Sequence, residues 1–248
     1  MPHLDYLLDL RAKELLHHTQ NDPHRQASVL SDIILGGQDG LVNVLGVILG
    51  VAAATSNTHI VLVAGLAATF AESVSMGAVA YTSTVADAEF FESEREREYR
   101  HIREVPRLEK QEIREIYANK GFEGELLERI VETITADKDV WVAVMMAEEH
   151  QLTPSDRKKA LRSAVIVGLA AIIGSLIPLA PFMFTPVKTG IWVSILLAAL
   201  VLFVFGMIKA RLTVGRPLRS GIELALIGTV SALVGFAVGL IFKAPPIQ

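Results

Sequence analysis

Two groups of residues in this sequence have the types and spacing to handle a cation. The first lies in residues 31–51, SDIILGGQDGLVNVLGVILGV, with Asp39 at its centre and no further charge from Gly40 to Asn57. About 20 mostly apolar residues suffice to cross a bilayer, and this stretch is long enough. An ionisable group inside such a segment is expensive and points to function; the plainer alternative is an interfacial acid that caps or snorkels. Residues 60–85 add Glu72 and Met76, four apart and so on one helix face. Thr69 lies one turn below them, Ser73 beside them and Ser75 one residue off that face, a polar stripe that fits a pathway or a helix interface. Asn43, one turn after Asp39, either shares its ligand work or bonds across an interface.

The second group is polar. Glu94, Glu98 and His101 follow i, i+4, i+7 spacing, Glu109 and Glu112 pair at i, i+3 with Glu115 beyond, and Met145, Met146 and Glu149 follow on a later helix. Carboxylates, an imidazole and thioethers together suit a first-row transition metal better than Mg²⁺ or Ca²⁺. For each acid alone, an ion-paired solvated face is an equal alternative, because SEREREYRHIRE alternates Glu and Arg. Met145 and Met146, beside Trp141 and Val144, are equally suited to filling a core. Glu98-x-x-His101 and Glu14-x-x-His17 both match the spacing used in di-iron carboxylate bundles, which need two such motifs on facing helices and two more Glu.

The elements that must position these groups are helices. The chain of 248 residues is 51% hydrophobic, with net charge −4 and no cysteine, which excludes disulfides and thiolate sites. Of its 27 acids, 19 lie in 87–156, and only Glu223 follows residue 161. This predicts an all-α membrane protein: five transmembrane helices with a helical, cytoplasmic, metal-binding insert between spans 2 and 3. Residues 1–28 form an amphipathic N-terminal helix, 29–85 spans 1 and 2, 86–160 the insert, and 161–243 spans 3 to 5. Within the insert, helices are expected near 89–103, 108–120, 124–136 and 138–150, with Pro178, Pro181 and Pro186 marking the turn after span 3. Lys and Arg concentrate in the N-terminal segment, the insert and the 209–219 connection. That bias puts these parts in the cytoplasm and the C-terminus outside. No signal peptide, nucleotide-binding motif or intramembrane Arg ladder is visible, and no nucleic-acid partner is expected.

Three segments together resemble the vacuolar iron transporter family: GGQDGLVNVLGVILG in span 1, ESVSMGAVAY in span 2, and EFFESEREREYRHIREVP…EIREIYANKGF…VWVAVMMAEEH in the insert. The resemblance covers the chain from about residue 29 onward. It implies a homodimer that moves Fe²⁺, and often Mn²⁺, out of the cytoplasm in exchange for protons. The family's intramembrane acid corresponds to Asp39 and its second-span methionine to Met76. Its metal-binding Glu and Met positions correspond to Glu98, Glu109, Glu112, Met145, Met146 and Glu149. The sequence departs from the plant pattern at His101, where those members have Glu, and at Ala68, where their second-span Glu falls, four residues before Glu72.

The expectation is therefore a proton-coupled divalent-metal transporter in the lipid bilayer of the plasma (inner) membrane, not an enzyme. Its metal residues would be Asp39, Glu72, Met76, Glu94, Glu98, His101, Glu109, Glu112, Met145, Met146 and Glu149. Fe²⁺ is the cargo, Mn²⁺, Zn²⁺ or Co²⁺ are further ions for the site, and protons are the counter-ion. The rival readings are a membrane-anchored ferroxidase or iron store, and a metal-responsive sensor, for which an intramembrane polar stripe has no purpose.

Overall fold

A computed structural model describes residues 24–154, 156–212 and 215–243. Residues 1–23 of the expected amphipathic N-terminal helix, with Glu14 and His17, lie outside the described residues. Every regular element among the described residues is helical: α1 His24–Thr55, α2 Thr58–Glu104, α3 Pro106–Asn119, α4 Gly124–Thr135, α5 Lys138–Glu148, a 3-10 turn Arg157–Lys159, α6 Ala160–Phe184, α7 Val187–Leu212 and α8 Pro217–Ile241. Five of them, α1, α2, α6, α7 and α8, are long and apolar enough to cross a membrane. The expectation of a five-span, all-α membrane protein is met. The described residues divide into two compact units, one drawn from 24–80 and 162–243, the other from 81–161.

Local chemistry sets the helix ends. Asn57 starts α2, its side-chain oxygen accepting from the backbone N–H of His59 (2.9 Å) and Ile60 (3.2 Å). Pro106 and Pro217 open α3 and α8, where a missing N–H costs nothing. Asp137 caps α5 by accepting from Asp139 and Val140 N–H. Past Glu104, Pro106 prevents α2 from continuing.

In the membrane unit, Leu41, Val44, Leu45, Ile48 and Leu49 of α1 form the buried centre with Val61, Leu179, Phe182, Ala198, Leu202 and Ala232. Backbone approaches seat α1 against two neighbours. A Cβ on Gly174 of α6 would collide with the Gly37 carbonyl, and one on Gly235 of α8 with the Gly46 carbonyl. Small residues are how helices associate in lipid, where burial of apolar surface supplies no drive. The outward faces carry large apolar side chains such as Trp192, Leu196, Ile173 and Val74, as a lipid-facing surface should.

One expectation is corrected here. Pro178 and Pro181 lie inside α6, not in the turn, and only Pro186 falls between α6 and α7. Interior prolines survive in membrane helices because neighbouring groups satisfy displaced backbone polarity. Ser194 Oγ of α7 donates to the Pro178 carbonyl at 2.6 Å, and Thr185 Oγ1 to that of Pro181 at 2.8 Å. The polar stripe of α2 also divides. Thr69 and Ser73 are buried and bond their own helix, at Gly65 O (2.8 Å) and Phe70 O (3.1 Å). They let the helix pack closely, and they offer no open ligand.

The 81–161 unit contains the C-terminal part of α2 with α3, α4 and α5. Its core is Ile102, Ile113, Leu127, Val131, Ile134, Trp141, Val142, Met145 and Met146. Arg114 of α3 grips Glu128 of α4 through two parallel bonds of 2.8 Å each. Tyr99 Oη of α2 donates to Asp139 of α5 at 2.6 Å. These contacts fix the face that α3 turns to α4 and the face that α2 turns to α5.

Candidate metal centres

The membrane unit brings two acids from different spans together. Asp39 sits on α1 and Glu72 on α2, both half-buried. Asn43 Nδ2, one turn beyond Asp39, donates to Asp39 Oδ2 at 3.2 Å and to Glu72 Oε1 at 3.0 Å. The two carboxyls also lie within reach of each other. Gly40, the residue after Asp39, is buried where a Cβ would strike the Ala171 carbonyl of α6, so α1 holds a fixed rotation at this level. Met76 follows Glu72 by one turn on the same helix and is half-buried. The pairing of Glu72 with Asp39, left open by the sequence, is thus made through Asn43.

The second centre lies within the 81–161 unit. Glu98 and Glu109 are nearly completely buried, at 2% and 3% exposure. His101 Nδ1 stands 3.7 Å from Glu98 Oε1 and 3.5 Å from Glu109 Oε1. On the other side, His150 Nε2 is 3.0 Å from the same Glu98 oxygen. Two triads result, Glu98–His101–Glu109 and Glu98–Glu149–His150, each with its ligand atoms within 4.8 Å of one another. Glu98 belongs to both.

The charges in this centre are poorly compensated. One carboxylate oxygen of Glu98 and one of Glu109 are buried with no hydrogen-bond partner. Such groups are rare and call for an explanation, of which an ion is one. Burial, then the charges of Glu112, Glu98 and Glu149, push the Glu109 carboxyl up to about 7. Glu149 is raised by burial first and then by Glu112. For His150 burial acts downward, but the bond to Glu98 and the charges of Glu149, Glu98 and Glu94 outweigh it, so its pKa is raised. Deprotonated carboxylates and neutral imidazoles gathered this way form a fitting donor set for a divalent transition metal.

The expected residues separate by position. Glu98, His101, Glu109 and Glu149 converge, and Glu112 lies against Glu109. Glu94 is buried one turn before Glu98 and is held by Arg97 at 3.0 Å, outside both triads. Met145 and Met146 are buried in the apolar core. His150 is the member that sequence spacing passes over. Its signal was its place directly after Glu149 at the end of a helix already credited with ligands.

Helices that cross a bilayer, an acid pair inside them and an acid–imidazole centre in a separate unit define a polytopic membrane protein built to handle cations. A profile described as "VIT family" matches residues 30–240. The chain belongs to this family, and is accordingly a transporter and not an enzyme. It is similar to vacuolar iron transporter 1 of Eucalyptus grandis, 33% identical over 221 residues covering 87% of this chain and 89% of that protein. Vacuolar iron transporter 1 of Arabidopsis thaliana is 32% identical over 228 residues, 92% of this chain and 91% of that one. The vacuolar iron transporter of Plasmodium falciparum is 28% identical over 253 residues, 96% and 92%.

Proposed function

We propose that this protein carries Fe²⁺, and also Mn²⁺, out of the cytoplasm in exchange for protons. The observation that carries the reading is the meeting of Asp39 and Glu72, from two different spans, at one Asn43 amide. Acids inside a membrane mark ion pathways and proton relays. A carboxylate that binds a metal must be deprotonated, so metal and proton compete for the same oxygens. Cargo would be collected at Glu98, His101, Glu109, Glu112 and Glu149 and released from Asp39 and Glu72 when they take up protons, with Met76 as a soft neighbouring donor. The names of the relatives support iron as cargo.

The positive-inside bias supports a cytoplasmic 81–161 unit. The plasma membrane is our placement. The vacuolar lumen and the cell exterior are both reached by leaving the cytoplasm, so this placement and the vacuolar names of the relatives call for the same direction in our reading. A homodimer is part of the same reading. Asn43 is exposed on the surface of a single chain, and polar groups within spans face protein or a water-filled cavity in preference to lipid. A second copy against that face would shield it.

Reconstituted proteoliposomes test this. Wild type should take up Fe²⁺ or Mn²⁺ with opposite proton movement, and Asp39→Ala and Glu72→Gln should abolish both. Metal-coupled proton flux that persists in Asp39→Ala refutes the assignment.

A further inference from the structure

We infer that His150 is a metal ligand, completing with Glu98 and Glu149 a nitrogen-bearing site that favours Zn²⁺ and Co²⁺ over Mn²⁺. The inference rests on the proposed metal loading of the 81–161 unit and deepens it.

Three observations support it. The imidazole Nε2 stands 3.0 Å from Glu98 Oε1, and the ligand atoms of Glu98, Glu149 and His150 all lie within 4.8 Å of one another. Glu98 is 98% buried, yet its second oxygen has no partner, so this carboxylate has unused ligand capacity. The backbone also fixes where the ring goes. The N–H groups of Glu149 and His150 both donate to Met145 O, at 3.0 and 3.3 Å. Gln151 then takes a left-handed conformation, φ 54°, and Leu152 N–H returns to Met146 O at 2.9 Å. This turn terminates α5 with His150 directed back to Glu98, which lies 52 residues earlier in the chain.

The chemistry follows from the donor set. Carboxylates alone suit hard ions such as Mn²⁺, whereas an added imidazole suits Zn²⁺, Co²⁺ and Fe²⁺. Bound through Nε2, the neutral ring keeps its proton on Nδ1, and any proton displaced from Nε2 leaves to solvent. His101 stands on the other side of Glu98 with Glu109, so each triad has one imidazole and they share one carboxylate.

The test is equilibrium competition for Zn²⁺ and for Mn²⁺ by the full-length protein in detergent, comparing wild type, His150→Ala and His150→Gln. Both variants should lose about tenfold or more in Zn²⁺ affinity, the scale on which a ligand's surroundings matter. Their Mn²⁺ affinity should stay within about threefold of wild type, well under a tenfold step of 1.4 kcal/mol. His150→Gln can keep a hydrogen bond to Glu98 but has no imidazole, and its retained Mn²⁺ binding reports a folded unit. Co²⁺ absorption should change in both variants as a nitrogen donor is lost. Unchanged Zn²⁺ affinity, equal losses for both metals, or full rescue by Gln overturns the ligand role of His150. If wild type itself binds neither metal in this unit, the loading step of the transport reading falls as well. Wild-type binding with unaffected variants sinks only the inference.

Discussion

Metal affinity of the 81–161 unit should rise with pH through neutrality, and Glu109 should carry a large share of that rise. Burial and the neighbouring carboxylates hold Glu109 up to about 7. Its proton must leave before it can bind a metal. Well below that pKa, one displaced proton lowers the apparent affinity about tenfold per pH unit, and well above it the effect vanishes. From about pH 8 down to about pH 6 this single group therefore costs about tenfold, about 1.4 kcal/mol. An ordinary glutamate, titrating near 4.3, would change affinity by only a few per cent over the same interval. His150 and Glu149 are also raised, so their protons add to the slope in the same direction. Calorimetric titration of metal in buffers of different ionisation enthalpy gives the number of protons released. Near about pH 6.5 that number should exceed about one-half in wild type and fall in Glu109→Gln, whose affinity is lower and whose pH profile is flatter. Zero proton release, or an undiminished slope in Glu109→Gln, would refute the reasoning.

Three further outcomes are expected. Asn43→Leu removes the donor shared by Asp39 and Glu72, so metal flux in proteoliposomes should fall about tenfold or more while the protein still purifies folded, each lost charge-assisted bond being worth about 1.5–3 kcal/mol. Gly174→Ala places a methyl against the Gly37 carbonyl and should cost about 1–3 kcal/mol, read as a lower melting temperature in detergent, whereas Gly121→Ala meets no atom and tests only its left-handed φ of 92°. Gln151→Gly relieves a left-handed residue and should stabilise the metal-free protein by about 1 kcal/mol in a denaturant series, with the Zn²⁺ site retained.

Much of the fold was legible because hydrophobic length is a one-dimensional signal. The five long apolar runs are spans, and the ends near Pro106 and Gly121 follow from local rules, whereas the last helix starts at Pro217, inside the stretch 209–219 expected to be a connection. Pro178 and Pro181 were misleading because their tolerance depends on hydroxyls, one of them Ser194 from a different helix. The sites were legible only within a helix. Glu94, Glu98 and His101 share a face by spacing, yet Arg97 takes Glu94 out of the centre. Glu98 meets His150 across 52 residues, and Asn43 meets Glu72 across 29, pairings that only packing creates. Thr69 and Ser73 show the converse. Their types left a pathway and a helix interface open, and each hydroxyl is satisfied by its own backbone.

On the proposed reading, the neutrality of Asn43 bears on how this pair of acids would exchange metal for protons. A lysine or arginine at that position would form a standing ion pair with Asp39 and Glu72, and a metal would have to displace a covalently tethered cation. An amide leaves both negative charges to be balanced by whatever arrives. It is also two-sided: Nδ2 donates to ionised carboxylates, while Oδ1 is an acceptor that can face a cation. On the exchange reading, one divalent ion balances the pair, and two protons do so equally. Either occupant leaves the site without net charge, which is the condition under which a group in an apolar span costs least. The partly filled states, with one charge uncovered, are the expensive ones. The pair is therefore biased towards full exchange of one occupant for the other, and a fixed cation at residue 43 would remove that bias.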